Sequence, residues 1–348
     1  MKRQKLLDAA TREKIDADLA LRAMRGQRDA ARKQVATVQR ALAELQARFD
    51  LFAAVKSPPA QPPFKLPKST RADSGVSIAV WSDWHVAERV DPRKIDNLNK
   101  YSPEIAKERA AHCAISTAKL HRHVASTHAV DSMVLFLGGD FITGYLHPEL
   151  EQTNALAPVE EAMFAQQLLI SAINTLLDEK KIRQIRIICM RGNHGRTTFK
   201  MQFKNDYETS LETFIYTTLF RHFQHEPRIR FDIPRGDVHH AQILPGWCLR
   251  CFHGHQVKYG DGVGGLTIPL NKWLAKQDRT QVADFNLMGH YHHYSLPSTR
   301  VILNGSLKGF DEYAASKGLP FQEPLQSFAL LDAERRMVAQ HLPIFCTS

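Results

Sequence analysis

The sequence predicts an α/β domain that is preceded by one long helix. Three observations support this: a heptad pattern over residues 1–55, a proline-rich stretch over residues 56–72, and apolar runs that alternate with helical stretches over residues 73–348. Strands that alternate with helices along a chain usually form parallel sheets with crossover helices. We therefore expect a helix, a linker and one α/β domain, in that order.

The first region, residues 1–55, has the spacing of a coiled coil. Its a and d positions recur at alternating steps of three and four: Leu21, Met24, Arg28, Ala31, Val35, Val38, Leu42, Leu45, Phe49 and Phe52. One helix alone cannot bury such a long stripe. We predict that this helix pairs in a homodimer or with a partner protein. The alternative is an amphipathic helix folded back onto its own domain.

The second region is predicted to be an extended linker. Its stretch KSPPAQPPFKLPKS holds five prolines in 14 residues, and proline removes amide donors and fixes φ. In the third region, the apolar runs VSIAVWSD, SMVLFLGGD and IRIICMRGN end in polar turns and are separated by long helical stretches. After residue 235 the runs are shorter and few helices intervene, so a more antiparallel sheet is expected there.

Composition indicates an ordinary globular protein with acidic partners. The 348 residues are 43% hydrophobic and carry a formal net charge of +10, which favours nucleic acid as a partner. The start lacks an apolar leader and no long apolar run follows, so we expect a cytoplasmic protein without a membrane partner. The five cysteines have no framework spacing and are expected to be reduced. Cys248 and Cys251 have the spacing of zinc ligands, with packing inside a strand as the alternative.

Polar side chains collect where the predicted strands end. They are Asp83 and His85 in SDWH, Asp140 in GGD, Asn193 and His194 in RGNH, His253 and His255 in FHGH, and His290 and His292 in GHYH. In open α/β sheets, ligands bind outside the carboxyl ends of the strands. Carboxylate, imidazole and carboxamide groups suit first-row divalent metals. The ordered set therefore predicts a metal site.

Two pairs within this set have the same spacing. Asp83 and His85 are two positions apart in the chain, as are His290 and His292. On an extended segment, side chains two residues apart point to one face. We therefore expect both members of each pair to point to one face of an extended segment.

The ordered series D-x-H, G-G-D, G-N-H, H-G-H and G-H-x-H over residues 76–306 resembles the calcineurin-like metallophosphoesterase superfamily, within it the nuclease and phosphodiesterase branch. The resemblance implies a two-layer β-sandwich flanked by helices, with two divalent metal ions at the strand ends. It favours Mn²⁺, with Fe, Zn or Ni as alternatives.

The same resemblance implies a role for each residue of the site. The implied ligands are Asp83, His85 and His292 for a first metal, Asn193, His253 and His290 for a second, and Asp140 as the bridge between them. His194 would protonate the leaving oxygen or stabilise developing charge. His255 and His293 fall outside the implied ligands.

The chain departs from the family pattern at two positions. Gly195 and Arg196 follow G-N-H, where many relatives have an acidic residue. Thr143 stands three positions after Asp140, where many relatives have a second acidic residue. Neither departure removes an implied ligand, and both bear on the class of substrate.

Basic residues beside the predicted site favour a nucleic acid substrate. Arg191, Arg196 and Lys200 flank His194 and are predicted to contact phosphates. We predict a metal-dependent nuclease that hydrolyses phosphodiester bonds of DNA or RNA with an activated water. The alternatives are a small-molecule or nucleotide phosphodiesterase, a phosphatase, and a non-catalytic scaffold that works through the coiled coil.

Overall fold

The computed structural model describes residues 2–54, 75–258 and 265–347. The chain divides into two units, Met1–Lys68 and Ser69–Ser348. The first unit contains helix α1, Lys2–Ala54, which agrees with the helix predicted for residues 1–55. The predicted linker, residues 56–72, lies outside the described residues.

The apolar stripe of α1 is exposed where its side chains are described. Leu21, Met24, Val35, Val38 and Leu42 are between 46% and 66% exposed in the single chain. Burying apolar surface stabilises a protein by about 25 cal/mol per Å², so a second helix along this stripe would be favourable. The coiled coil remains a prediction.

The second unit contains two β-sheets. The strands of the first sheet, in spatial order, are β11 (Met337–Phe345), β10 (Leu325–Asp332), β1 (Gly75–Trp81), β2 (Ser132–Leu137), β3 (Gln184–Cys189) and β4 (Ile229–Asp232). Strands β1 to β4 are parallel, while β10 and β11 are antiparallel additions at one edge. The alternating strands and helices of residues 75–232 thus form a parallel sheet, as predicted.

The second sheet comes entirely from the later part of the chain. Its strands, in spatial order, are β5 (Val238–Leu244), β6 (Trp247–Phe252), β7 (Phe285–Met288), β9 (Val301–Leu303) and β8 (Ser295–Ser298). The pairs β5–β6 and β8–β9 are antiparallel, but β6–β7 and β7–β9 are parallel. The strands after residue 235 form more antiparallel pairs than those before it, as expected, but the centre of this sheet is parallel. The connection from β6 to β7 includes helix α6 (Thr267–Gln277) and supplies the crossover that a parallel pair needs.

The helices of the second unit are α2 (Pro103–Thr127), α3 (Pro148–Thr153), α4 (Pro158–Leu177), α5 (Leu211–Phe223), α6 (Thr267–Gln277) and α7 (Glu312–Ser316). Four of them, α2, α4, α5 and α6, pack on the outer faces of the two sheets, and α3 and α7 are short helices without buried residues. Ser102 caps α2, since its side chain accepts a hydrogen bond from the amide of Ile105 and Pro103 follows it. No helix in the described residues is both long and apolar enough to cross a membrane.

Three apolar cores hold these layers together. Ala79 and Trp81 of β1 face α2, α4 and α5, while Ile78 and Val80 point the other way and pack against Leu249 and the rest of the second sheet. This alternation follows from the two-residue repeat of a strand that is buried on both faces. The third core lies between the second sheet and α6. The predicted two-layer sandwich flanked by helices is confirmed.

The cysteine pair of β6 belongs to these cores. Cys248 and Cys251 are buried free thiols, as are the other three cysteines. Cys251 packs between the two sheets. The structure therefore supports strand packing for this pair.

Candidate metal centre

The predicted ligands all lie in loops that follow strands. Asp83 and His85 follow β1, Asp140 follows β2, and Asn193 follows β3 in the first sheet. In the second sheet, His253 follows β6, and the GHYH loop follows β7. Because β6 and β7 are parallel to each other, their carboxyl ends share an edge. The strand ends of both sheets thus contribute to one site.

Hydrogen bonds between the backbones of these loops hold them together. The amide of Asp83 donates to the Gly139 carbonyl at 2.9 Å, and the amide of His85 donates to the Asp140 carbonyl at 3.1 Å. A Cβ atom at Gly192 would lie 2.0 Å from Asp140 Oδ1. The glycine of RGNH is therefore required by the close approach of the β2 and β3 loops.

The two histidine-containing pairs do not lie on extended backbone. Eight non-glycine residues of the described chain have positive φ, and five are predicted ligands: Asp83, His85, Asp140, His290 and His292, with φ between 47° and 72°. The expectation of extended segments was therefore wrong. The strand ladder has ended at these positions, and left-handed residues turn the loops toward one another. Such a conformation costs about 1 kcal/mol or more per residue and concentrates at functional sites.

The first group of ligand atoms comes from the two sheets together. His85 Nε2 lies 3.2 Å from His292 Nε2, and His292 Nε2 lies 3.5 Å from Asp83 Oδ1. Asp83 is fully buried, whereas the side chain of His292 is 29% exposed. The ligand atoms of the three residues lie within 4.8 Å of one another, so one cation can contact them all.

The second group has the same composition and the same pattern of burial, with two buried residues and one half-buried histidine. His253 Nε2 lies 2.9 Å from Asp140 Oδ2, and His290 Nδ1 lies 3.2 Å from His253 Nε2. These ligand atoms also lie within 4.8 Å of one another. Asp140 Oδ1 accepts a hydrogen bond from the amide of His194 at 2.8 Å. The structure thus places Asp140 in the second group, and its bridging role remains a prediction.

Asn193 supplies a polar atom that suits a bound cation. The residue is 9% exposed, and its Oδ1 atom is buried without a hydrogen-bond partner among the described residues. The ring atom His85 Nδ1 is likewise buried without a hydrogen-bond partner among the described residues. Buried polar atoms nearly always have partners. Together with the two groups of aspartate and histidine, these atoms fit a site for two divalent metal ions.

The charges around the groups favour ligand chemistry. Burial lowers the pKa of His85 and of His290 well below the usual value, so both rings are neutral near pH 7 and keep a nitrogen lone pair. Although burial acts in the opposite direction, Asp140 raises the pKa of His253 to about 10. A metal ion bound to His253 would replace the proton that the raised pKa keeps on this ring.

His194 lies beside the first group. Its Nδ1 is 2.8 Å from the Thr143 carbonyl oxygen, to which it donates a hydrogen bond. Its ring centroid is 4.8 Å from that of His85. Burial lowers the pKa of His194. With Nδ1 carrying the proton, Nε2 is the ring atom left to exchange a proton with a substrate.

Glu212 of α5 ties the loop that follows β2 to the loop that follows β3. Its side chain accepts hydrogen bonds from the amide of Phe141 at 2.8 Å and from the amide of Gly192 at 2.6 Å. Burial raises the pKa of Glu212 to about 8. Sequence reasoning missed this residue because an acidic side chain in the first turn of a helix is ordinary.

Glu161 of α4 ties the loop that follows β1 to the loop that follows β2. It accepts hydrogen bonds from the amides of Ala87 at 3.2 Å, Thr143 at 2.5 Å and Gly144 at 3.0 Å. Burial raises the pKa of Glu161 to about 7, against the effect of these amides. The two helices thereby fix the loops that carry the ligands.

Lys308 is a third buried group that the sequence did not reveal. It is 4% exposed and lies 2.7 Å from Glu88 Oε1 and 2.5 Å from Asp311 Oδ2. Although burial opposes the change, these two carboxylates raise the pKa of Lys308. Its charge is one cause of the lowered pKa of His85.

The three predicted phosphate-binding residues occupy different environments. Arg191 is 4% exposed, and its guanidinium donates to Asp206 at 2.7 Å and to the carbonyl oxygens of Pro234 and Arg235. Arg196 donates to backbone carbonyls of its own loop. Lys200 is exposed. The guanidinium of Arg191 thus makes internal hydrogen bonds, and its predicted contact with phosphate remains a prediction.

The two departures from the family pattern lie against the buried glutamates. A Cβ atom at Gly195 would lie 2.7 Å from Glu212 Cγ, so Glu212 occupies the space that a side chain at 195 would need. The amide of Thr143 donates to Glu161. Glu161 and Glu212 therefore place carboxyl groups beside Thr143 and Gly195, the positions at which many relatives have an acidic residue.

Comparison with known proteins agrees with this geometry. The family model described as calcineurin-like phosphoesterase matches residues 76–322. Among solved structures, the chain is similar to Thermus thermophilus sulfate thiohydrolase SoxB in complex with glycerol, at 10% identity and a TM-score of 0.33, over 81% of this chain and 58% of that chain. The chain thus spans less than two thirds of that protein's length, and so distant a likeness carries no argument about activity. We find no match among curated proteins. Since the family model matches more than half of its residues, the chain belongs to the calcineurin-like phosphoesterase family.

Proposed function

We propose that this metallophosphoesterase is a nuclease that hydrolyses phosphodiester bonds in DNA or RNA. The observation that carries the proposal is the pair of aspartate–histidine groups with the unpaired Asn193 Oδ1 beside them. Divalent ions in such a site polarise phosphoryl oxygens and lower the pKa of bound water. We propose that the two groups hold two such ions, that Mn²⁺ is the preferred metal, and that the ligands are those implied by the family resemblance.

The chain's own residues supply positioning and proton transfer. Glu161 and Glu212 hold the three loops that carry Asp83, Asp140 and Asn193. The Thr143 carbonyl holds the proton on His194 Nδ1. His194 Nε2 carries no proton in this state, so it would first accept the proton that the attacking water loses and then donate that proton to the leaving oxygen of the diester.

Charge supports nucleic acid as the substrate. The formal net charge is +10, and Arg196 and Lys200 follow His194 in the chain. Basic residues beside a phosphodiesterase site attract a polyanion and slow its release. We leave Arg191 out of the proposed substrate contacts, because it is buried and its guanidinium makes internal hydrogen bonds, whereas Arg196 is half-buried.

The test compares the full-length protein with Asp140→Asn, His194→Ala and a matched control, His293→Ala. His293 is an exposed histidine next to the ligand loop. Each protein receives Mn²⁺ with bis-p-nitrophenyl phosphate, p-nitrophenyl phosphate, or end-labelled single- and double-stranded DNA and RNA. Metal content is measured separately by mass spectrometry.

Cleavage of diester and nucleic acid, lost in the two site variants and kept in the control, is the expected result. Diester cleavage without nucleic acid cleavage would replace the proposal by a small-molecule phosphodiesterase. Preference for the monoester would indicate a phosphatase. Bound metal without any hydrolysis would contradict an enzymatic role and favour a scaffold that works through α1.

A further inference from the structure

The segment Phe199–Lys204 carries an unusual surface. Phe199 is 88% exposed and Phe203 is 78% exposed, and these are the two most exposed large apolar side chains in the described part of the chain. Each is followed directly by an exposed lysine, Lys200 and Lys204. The segment thus presents two aromatic–basic pairs, four residues apart.

The base of this segment is fixed beside the metal centre. The guanidinium of Arg196 donates to the carbonyl oxygens of Asn193 and Thr198 at 3.1 Å. Thr197 donates through its amide and its hydroxyl to the Thr209 carbonyl. A loop anchored to the residue that supplies Oδ1 to the site keeps its tip within reach of a bound polymer.

The acidic residues of the loop are paired with arginines, Asp206 with a buried one and Glu208 with an exposed one. Asp206 lies 2.7 Å from Arg191, and Glu208 lies 3.0 Å from Arg235. The structure gives Lys200 and Lys204 no ion pair within the described residues. The exposed tip is therefore basic as well as aromatic.

We propose that Phe199–Lys204 binds unpaired nucleotides of the substrate strand next to the scissile phosphate. This inference rests on the proposed nuclease function. Each nucleotide offers one base and one phosphate, which matches the pairing of one phenylalanine with one lysine. Aromatic side chains stack on any exposed base, and lysines attract the backbone. Duplex DNA keeps its bases stacked inside and cannot use the two phenylalanines.

The binding test uses full-length protein without divalent metal, so that no cleavage occurs. Fluorescence anisotropy measures the Kd for labelled single-stranded dT20, rU20 and a 20-base-pair duplex. We expect the Phe199→Ala, Phe203→Ala double variant to bind both single strands at least about 30-fold more weakly, because stacking on two bases is lost. The control is Phe345→Ala, an exposed phenylalanine on β11, which should retain the wild-type Kd.

The lysines are tested by the salt dependence of binding. For Lys200→Gln with Lys204→Gln, the slope of log Kd against log salt should fall by about 1.4, since each phosphate contact to a single strand contributes about 0.7. Lys272→Gln with Lys276→Gln, two exposed lysines of α6, should leave the slope unchanged. Circular dichroism of all variants checks that they are folded.

Unchanged single-strand affinity in the folded phenylalanine variant would overturn the inference. So would equal loss of affinity for the duplex, or a segment-dependent affinity for anionic lipid vesicles in place of oligonucleotides. Hydrolysis of bis-p-nitrophenyl phosphate by the wild-type protein reports on the proposed phosphodiesterase separately. Loop-dependent strand binding without that hydrolysis would support the inference while contradicting the proposed function.

Discussion

The two units of the molecule handle their apolar residues in opposite ways. In the second unit, Trp81, Phe136 and Leu287 are fully buried between layers, and the resulting frame holds strained loops at its edge. In α1, Met24, Val38 and other stripe residues are exposed. The second unit thus builds its site from its own layers, whereas the stripe of α1 is exposed in the single chain, and we propose that a partner helix buries it. Four variants test this difference between the two units, and they are given from the largest expected effect to the smallest.

The largest effect is expected for Asp140→Asn in the second unit. The change removes a carboxylate from the second group and its charge next to His253. We expect diester hydrolysis to fall at least about 1000-fold, or about 4 kcal/mol of transition-state stabilisation. Metal content by mass spectrometry should fall with it, while His293→Ala keeps both. If the Asp140→Asn protein binds metal and remains active, Asp140 does not belong to the site.

Next is Glu212→Ala, which tests whether the helices hold the loops. The change leaves the buried amides of Phe141 and Gly192 without an acceptor. Each unsatisfied amide costs about 1–3 kcal/mol, so the free energy of unfolding should fall by about 2–6 kcal/mol in a urea titration. Glu208→Ala removes only an exposed ion pair and should cost less than about 1 kcal/mol. Similar losses in the two variants would contradict the role assigned to Glu212.

A smaller effect is expected for Arg191→Met, which separates a structural role from a substrate contact. The charged hydrogen bonds to Asp206 and two carbonyl oxygens are lost, so the free energy of unfolding should fall by about 2–4 kcal/mol. Arg235→Met, at a largely exposed arginine, serves as the control. Unchanged stability together with a raised KM for nucleic acid would instead support the substrate contact predicted from the sequence.

The smallest effect on catalysis is expected in α1. We propose that α1 forms a coiled coil with a second copy or a partner, and Val38→Lys with Leu42→Lys should disrupt it. Light scattering after size exclusion should then report a monomer, with unchanged hydrolysis of bis-p-nitrophenyl phosphate. The control places lysines beside the stripe, at Ala36 and Gln39. A wild-type protein that is already monomeric in the absence of other proteins would rule out self-association.

Much of the site could be predicted because its signals are local. Each of Asp83, Asp140 and His253 stands at the end of an apolar run, and the strand periodicity that places it is visible in a few residues. Parallel strands then bring their ends together without further information. The substrate cannot be obtained in this way, because the same groups serve many phosphoesters.

Other features depend on contacts between distant residues. The second sheet pairs β6 with β7 across residues 253–284, and nothing in the short apolar runs specifies whether that pairing is parallel. Arg191 lies beside His194 in sequence but turns inward to Asp206 and Arg235. Position along the chain indicates proximity to the site, yet it does not give the direction of a side chain.

By itself, the sequence determined the order of the elements, the family and the set of candidate ligands, because hydrophobic periodicity and motif spacing are properties of short segments. The tertiary structure alone decided three further matters. Five of the predicted ligands adopt a left-handed backbone conformation. The buried carboxylates of Glu161 and Glu212 join the loops that carry ligands. The side chain of Phe199 is exposed to solvent. Each of these depends on which distant residues fill the neighbouring space, and packing settles that only when all layers are assembled.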